Sequence, residues 1–212
     1  MSANSVSNAT NKALRICQTL STSQLIKKIR PYTSQIIVVK SLGGIKANMT
    51  LCQRQGVIWK PMFTSSFKAV VGKNGVASVG GKKEGDLKTP AGLYPIGEVF
   101  GTRPLALKMD YKYITADDKF IDDVNHKYYN SWVSGSTDAK SYESMLIESY
   151  TYGAVINYNM NPTIAGAGSA IFIHLWRSPN SPTAGCIALD KKHLLRMLHW
   201  LDKNQHPYIL VR

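Results

Sequence analysis

Residues 170–189, AIFIHLWRSPNSPTAGCIAL, decide how the rest of the chain is read. The apolar run Ile171 to Trp176 predicts a strand, with His174 set among apolar neighbours. Pro179, Asn180, Ser181 and Pro182 force a turn. The chain returns as Thr183-Ala184-Gly185-Cys186 and continues into Ile187-Ala188-Leu189. A strand, a short loop and a return bring His174 towards Cys186.

That pair carries chemistry. A free thiol has a pKa of about 8.5, so little thiolate exists at neutral pH. An imidazole nearby either takes the proton or, as imidazolium, holds the thiolate. Gly185 lacks a Cβ, so the backbone before the thiol can bend sharply and leave N–H groups free. Such N–H groups beside a nucleophile form an oxyanion hole. The plainer reading is that a lone Cys is inert core and a strand His a satisfied core residue.

The order His174, loop, Thr183-X-Gly185-Cys186 and apolar residues resembles the signature of the L,D-transpeptidase catalytic domain of bacterial cell walls. The resemblance implies that His174 is the base and Cys186 the nucleophile. Backbone N–H groups at Gly185, Cys186 and Ala184 are then the oxyanion donors. Two positions depart from the family pattern. Ala184 stands where a second His is usual, and Ala188 where Arg or Asn is usual. Both fit a divergent branch in which Pro-Thr-Ala-Gly-Cys is the common form.

A second block supports the same resemblance. Gly80 to Gly92, GGKKEGDLKTPAG, reads by default as a solvated loop. It is also similar to the family's Lys-Glu-Gly-Asp and Thr-Pro-Ala-Gly block, which leads into a strand, here Leu93 to Val99. Lys112 to Trp132 resembles the branch again and is read as a wall or lid over the cleft. Thr183, Trp176, Arg177, Asp122, Asp123 and Tyr129 are the candidates for substrate contact, the last three for a peptide amine. The aspartates lack the alternating oxygens and terminal Glu of a calcium loop, so no metal is expected. No cofactor is implied.

The remaining chain predicts strands at 35–39, 46–53, 56–60, 67–71, 153–159 and 208–211. Ser141 to Ile147 reads as a short helix capped by Ser141, and 22–30 as one or two helical turns. Asp190 is an N-cap candidate, and Leu194, Leu195, Leu198 and Leu201 predict an amphipathic helix over 191–202. The expected fold is mainly β: an antiparallel, sandwich-like L,D-transpeptidase catalytic domain over 34–212, with a few short helices, a C-terminal amphipathic helix and an extension over 1–33.

The chain has 212 residues, 44% of them hydrophobic, enough for a real core. Its net charge of +13 favours acidic partners, here an anionic cell wall. No nucleic-acid-binding motif appears, and no apolar run approaches a membrane span. Cys17, Cys52 and Cys186 are odd in number and widely spaced, which supports neither a disulfide framework nor a zinc site. Residues 1–22 show no signal-peptide pattern, whereas the family resemblance implies the periplasm or cell envelope. The leading function is a peptidoglycan L,D-transpeptidase acting on stem peptides, of the kind that serves wall biogenesis and cell shape. The alternatives are a wall hydrolase (L,D-carboxypeptidase or amidase) using the same pair, and a wall-binding module without chemistry. Oligomeric state is not legible.

Overall fold

The computed structural model describes residues 3–29 and 31–212, with side chains from Asn8 onward. Two helices open the chain, α1 (Ala3–Thr22) and α2 (Gln24–Ile29). Then follow β1 (Gln35–Ser41), β2 (Lys46–Gln55), β3 (Ile58–Pro61), β4 (Phe67–Val70), β5 (Val76–Ala77), β6 (Thr89–Pro90), β7 (Gly92–Gly101) and β8 (Tyr111–Tyr113). The next strands are β9 (Asp118–Ile121), β10 (Trp132–Ser134), β11 (Tyr142–Ser144), β12 (Tyr152–Ile156), β13 (Phe172–Leu175) and β14 (Ile187–Leu189). Helix α3 (Lys191–Trp200) and β15 (Tyr208–Val211) complete the chain.

The main sheet runs β1-β15-β7-β12-β13-β14-β4-β2 and closes through β1–β2, with β3 and β8 hanging outside on β2 and β7. The expected antiparallel sandwich is therefore corrected to a mixed, barrel-like sheet. Two parallel pairs within the closed ring make the difference, and the outlying β8 is parallel to β7 as well. Strand β15 lies parallel to β1, with Ile37 opposite Ile209. Strand β14 lies parallel to β13, with Ile173 opposite Ile187 and His174 opposite Ala188. A parallel return needs about a dozen connecting residues. The segment 176–186 is long enough to run back to the head of β13, so the two strands do not form a hairpin.

Burial follows the period-two alternation. In β1, Ile37 and Val39 face the barrel interior, together with Met49, Leu51, Ile173, Ile187 and Ile209. Leu194, Met197, Leu198 and Leu201 of and beside α3 join that core. Asp190 caps α3, its carboxylate accepting from the His193 N–H at 3.1 Å. The alternate residues Ile36 and Val38 face outward, where Ile16, Cys17, Leu20 and Ile26 of the N-terminal helices cover them. Both faces of β1 are buried, which is why its sequence is an unbroken apolar run.

One element is added and two expectations are corrected here. The polar 1–22 stretch contains a 20-residue helix, held by the stripe Ala13, Ile16, Cys17 and Leu20, all buried. Cys17 and Cys52 form a disulfide that fastens α1 to β2. Residues 141–147 are not a helix: Tyr142 to Ser144 pair antiparallel with β9, Tyr142 opposite Ile121. The ladder bonds of β9 outweigh a weak local helix preference.

Strands β10, β9 and β11 form a separate small sheet in that order. It lies over the outer face of β7, β12 and β13. Phe120, Trp132, Met145 and Tyr150 from this cap pack on Phe100, Val155, Phe172 and Cys186 from the barrel. Asp118 ties the cap together, accepting from the Trp132 Nε1–H and the Thr115 N–H, each at 2.8 Å, and from the Ser134 hydroxyl. The 112–132 stretch supplies Ile114, Phe120 and Trp132 to this packing.

Candidate active site

Strand register sets the site's geometry. One rung before Ile173–Ile187, Phe172 stands beside Cys186, and the Phe172 N–H donates to Sγ at 3.3 Å. The thiol donates to the Ala170 carbonyl at 3.3 Å. Alternation puts Phe172, His174, Cys186 and Ala188 on one face, the outer one beneath the cap. His174 and Cys186 are diagonal neighbours, two rungs apart. Strand spacing and rise place such residues roughly 8 Å apart at Cα, with their side chains pointing the same way. The ring of His174 is held by its Nδ1–H, which donates to the Leu175 carbonyl at 2.8 Å. That bond leaves Nε2 unprotonated and basic. Opposite His174 across β12–β13 is Gly153, where a Cβ would meet the Phe100 ring at 2.4 Å. Only a glycine fits between that ring and the Ile173 carbonyl.

Tyr150 packs beside the pair. Its ring meets the His174 ring edge-on at 5.1 Å between centroids. Tyr150 also belongs to the buried cluster that holds Cys186. Its phenol donates to Glu143 at 2.5 Å. No hydrogen bond joins His174 directly to Cys186 among the described residues.

Electrostatics keep both members neutral. Burial lowers the His174 pKa to about 4, against the smaller opposing effect of the Leu175 bond. Burial raises the Cys186 thiol well above its ordinary range, and the Glu143 charge raises it further. The Phe172 N–H, Lys82 and the Tyr150 phenol pull it back only in part. At neutral pH the pair is thiol and imidazole, not thiolate and imidazolium. His174 and Cys186 are 8% and 6% exposed, whereas Ala184 is exposed, so solvent reaches the bend beside a covered sulfur. A cavity of about 390 Å³ lies against Phe120, Trp132, Val155 and Met160 of the same cluster; neither His174 nor Cys186 lines it.

The bend itself is braced by the 80–92 stretch, which is no solvated loop. Thr89 is fully buried; its hydroxyl donates to the Cys186 carbonyl at 3.3 Å and accepts from the Gly72 N–H at 2.9 Å. Lys82 is buried in an ion pair with Asp86 at 2.5 Å. Gly185 has φ +154°, and a Cβ there would stand 3.1 Å from the Lys88 carbonyl and 3.2 Å from Ile171 Cδ1.

The sequence-derived candidates fall into distinct places. Gly185 donates its N–H to the Thr183 hydroxyl at 3.2 Å. Thr183 spends that hydroxyl inside the turn, donating to the Cys186 carbonyl at 2.6 Å. The N–H groups of Ala184 and Cys186 have no backbone acceptor among the described residues. Trp176 lies with Pro179 and Lys46 along a separate cavity, and Arg177 is exposed. Asp123 staples its own loop, accepting from the N–H groups of Asn125 and Lys140 at 3.1 and 2.9 Å. Tyr129 is buried, donating to Glu84 at 2.5 Å and accepting from the Gly168 N–H at 3.0 Å. Asp122 is different: its Oδ1 is buried with no hydrogen-bond partner, and its charge acts on Glu143. The residues that sequence reasoning missed are Tyr150, Glu143, Lys82 and Thr89. No local motif marks the first two; their approach to Cys186 is purely tertiary.

No curated protein and no solved structure gives a significant match to the chain. A family model does, the L,D-transpeptidase catalytic domain, over residues 34–209. That match spans most of the chain and includes both the 80–92 block and the His174–Cys186 stretch, so the chain belongs to the L,D-transpeptidase catalytic-domain family.

Proposed function

We propose that the protein is a cysteine-dependent L,D-transpeptidase that acts on peptidoglycan stem peptides through an acyl-enzyme on Cys186. Residues 34–212 are its catalytic domain and 1–33 an extension clasped to it by the Cys17–Cys52 disulfide. The observation that carries this reading is the shared outer face. His174, oriented by the Leu175 carbonyl, and Cys186 lie two rungs apart on it, and Tyr150 packs against the His174 ring within the cluster that holds Cys186.

The chemistry starts from neutral partners. Nε2 of His174 takes the thiol proton as sulfur attacks the acyl-donor carbonyl. Substrate must first bring sulfur and imidazole together, since no resting bond joins them. The Cys186 and Ala184 N–H groups then hold the oxyanion, each such donor being worth roughly a hundredfold or more. His174 returns the proton to the departing amine. A second amine takes the acyl group from sulfur and closes a cross-link.

Family members usually work in the cell envelope, and no helix among the described residues is long and apolar enough to cross a membrane. The disulfide supports an oxidising location such as the periplasm. The net charge of +13 supports attraction to an anionic wall.

The burial of Cys186 favours a second reading, a wall-binding module without turnover. Incubation with purified disaccharide-tetrapeptide, followed by product mass analysis, separates the two. Transpeptidation predicts cross-linked dimers, lost in Cys186→Ala and His174→Gln. Trimmed monomers alone indicate a hydrolase using the same pair. No turnover by the folded protein leaves the binding module.

A further inference from the structure

We propose that Asn130 is a positioning residue for the Cys186 sulfur, acting through the backbone of Ala170. The proposal deepens the reading of Cys186 as nucleophile and rests on it. One short segment holds the sulfur at two points. The thiol donates to the Ala170 carbonyl, and the Phe172 N–H donates to the sulfur, each at 3.3 Å. Phe172 is strand backbone, fixed by its register with Val155. Ala170 has no such support. It precedes β13, and its φ of +52° lies in the left-handed region that a Cβ disfavours. A residue keeps that conformation only where its surroundings impose it.

Asn130 supplies the constraint. Its Oδ1 accepts from the Ala170 N–H at 3.1 Å. Its Nδ2 donates to the carbonyls of Tyr158 and Asn159 at 2.9 and 2.7 Å. An amide offers an acceptor and two donors on one short side chain, and all three are used. Asn130 is 3% exposed and has φ +59°, which Asn adopts more readily than most residues. The neighbouring residues complete the clamp. The Tyr129 oxygen accepts from the Gly168 N–H at 3.0 Å. Glu84 accepts from the hydroxyls of Tyr129 and Ser169 at 2.5 and 2.7 Å. Gly168, Ser169 and Ala170 are thus each tied to a side chain. If Asn130 lets go, Ala170 relaxes to negative φ and its carbonyl swings off the thiol. The sulfur then loses the acceptor that fixes its rotation about the Cα–Cβ bond.

The test is the infrared S–H stretching band of the whole, non-reduced protein. Cys17 and Cys52 are in the disulfide, so the band reads Cys186 alone. Hydrogen bonding to the Ala170 carbonyl lowers its frequency. Asn130→Gly deletes the side chain and keeps positive φ at position 130 free of strain. It is expected to move the band up, towards that of a free thiol. It is also expected to lower kcat by up to about a hundredfold with KM little changed, as misplacement of a reacting group does. Ala170→Gly permits positive φ without a clamp. Added to Asn130→Gly, it is expected to return the band most of the way to its wild-type position. An unmoved band in Asn130→Gly overturns the proposal. So does a shift that Ala170→Gly leaves whole, because the clamp then acts elsewhere, or an unchanged kcat in a variant whose band has moved. Circular dichroism identifies a variant that fails to fold. Asn130→Asp then takes the place of Asn130→Gly: its carboxylate has no donor for the Tyr158 and Asn159 carbonyls, and the same upward shift is expected. The band reports Cys186 whether or not the protein turns over substrate. Undiminished turnover by Cys186→Ala would remove the proposed function without moving the band, so the two failures are distinguishable.

Discussion

Acidification probes the neutral imidazole on which the general-base reading stands. In the folded protein His174 titrates at about 4, because it is 8% exposed and held among apolar rings. In the unfolded chain it titrates near 6.5. Between these values the unfolded chain binds a proton that the native state refuses, so stability falls as pH falls. The contribution is whole above about pH 6.5 and is lost on the way down to about pH 4. A difference of two to three pKa units corresponds to about 3 kcal/mol. His174→Gln removes the titration while keeping a polar side chain, and every other carboxylate and imidazole remains in both proteins. Urea unfolding of the two proteins, at several pH values from about 7.5 to about 4, therefore isolates this residue. Wild type is expected to lose about 3 kcal/mol relative to the variant over that range. Parallel stability curves would refute the reasoning, because they would mean that His174 is as easily protonated when folded as when unfolded.

Three other outcomes follow from the same geometry. Replacing Cys17 and Cys52 by Ala opens a loop of 35 residues and is expected to cost about 4 kcal/mol on the chain-entropy account, read by denaturant unfolding. The S–H band of Cys186 is expected to stay unchanged in that variant, since α1 covers another face. Thr89→Val strips the buried Gly72 N–H of its acceptor and the Cys186 carbonyl of a donor; a loss of about 1–3 kcal/mol in thermal or urea unfolding is expected. Gly185→Ala pushes a methyl to 3.1 Å from the Lys88 carbonyl at φ +154°, and is expected to cost about 1–3 kcal/mol and, on the proposed function, to lower turnover by displacing Cys186.

What was legible in the sequence was what local signals encode. The Ile36–Val39 and Ile209–Val211 runs are strands because each is apolar on successive residues, and Asp190 caps a helix whose leucines recur at helical spacing. The His174 strand and the bend at Gly185 were equally plain. Pairing was not. Nothing local says that β15 lies parallel to β1, or that the 176–186 loop returns far enough to make β14 parallel to β13. Helix α1 was hidden by its Ser, Asn and Thr content, although Ala13, Ile16, Cys17 and Leu20 do mark a narrow apolar stripe. The disulfide followed from that missed helix, since only α1 brings Cys17 to β2. Tyr142 to Ser144 have a helix-compatible sequence and become a strand because β9 offers them a ladder. Glu143 and Tyr150 escaped notice for the same reason: their place near Cys186 depends on how the cap sheet docks.

The central claim is that the sulfur of Cys186 accepts an acyl group, and intact-protein mass analysis during turnover of disaccharide-tetrapeptide reads it directly. The account predicts a mass gain equal to the acyl donor, mapped to the peptide that holds Cys186 and missing from Cys186→Ala. An adduct on any other residue, or undiminished turnover by Cys186→Ala, would contradict it.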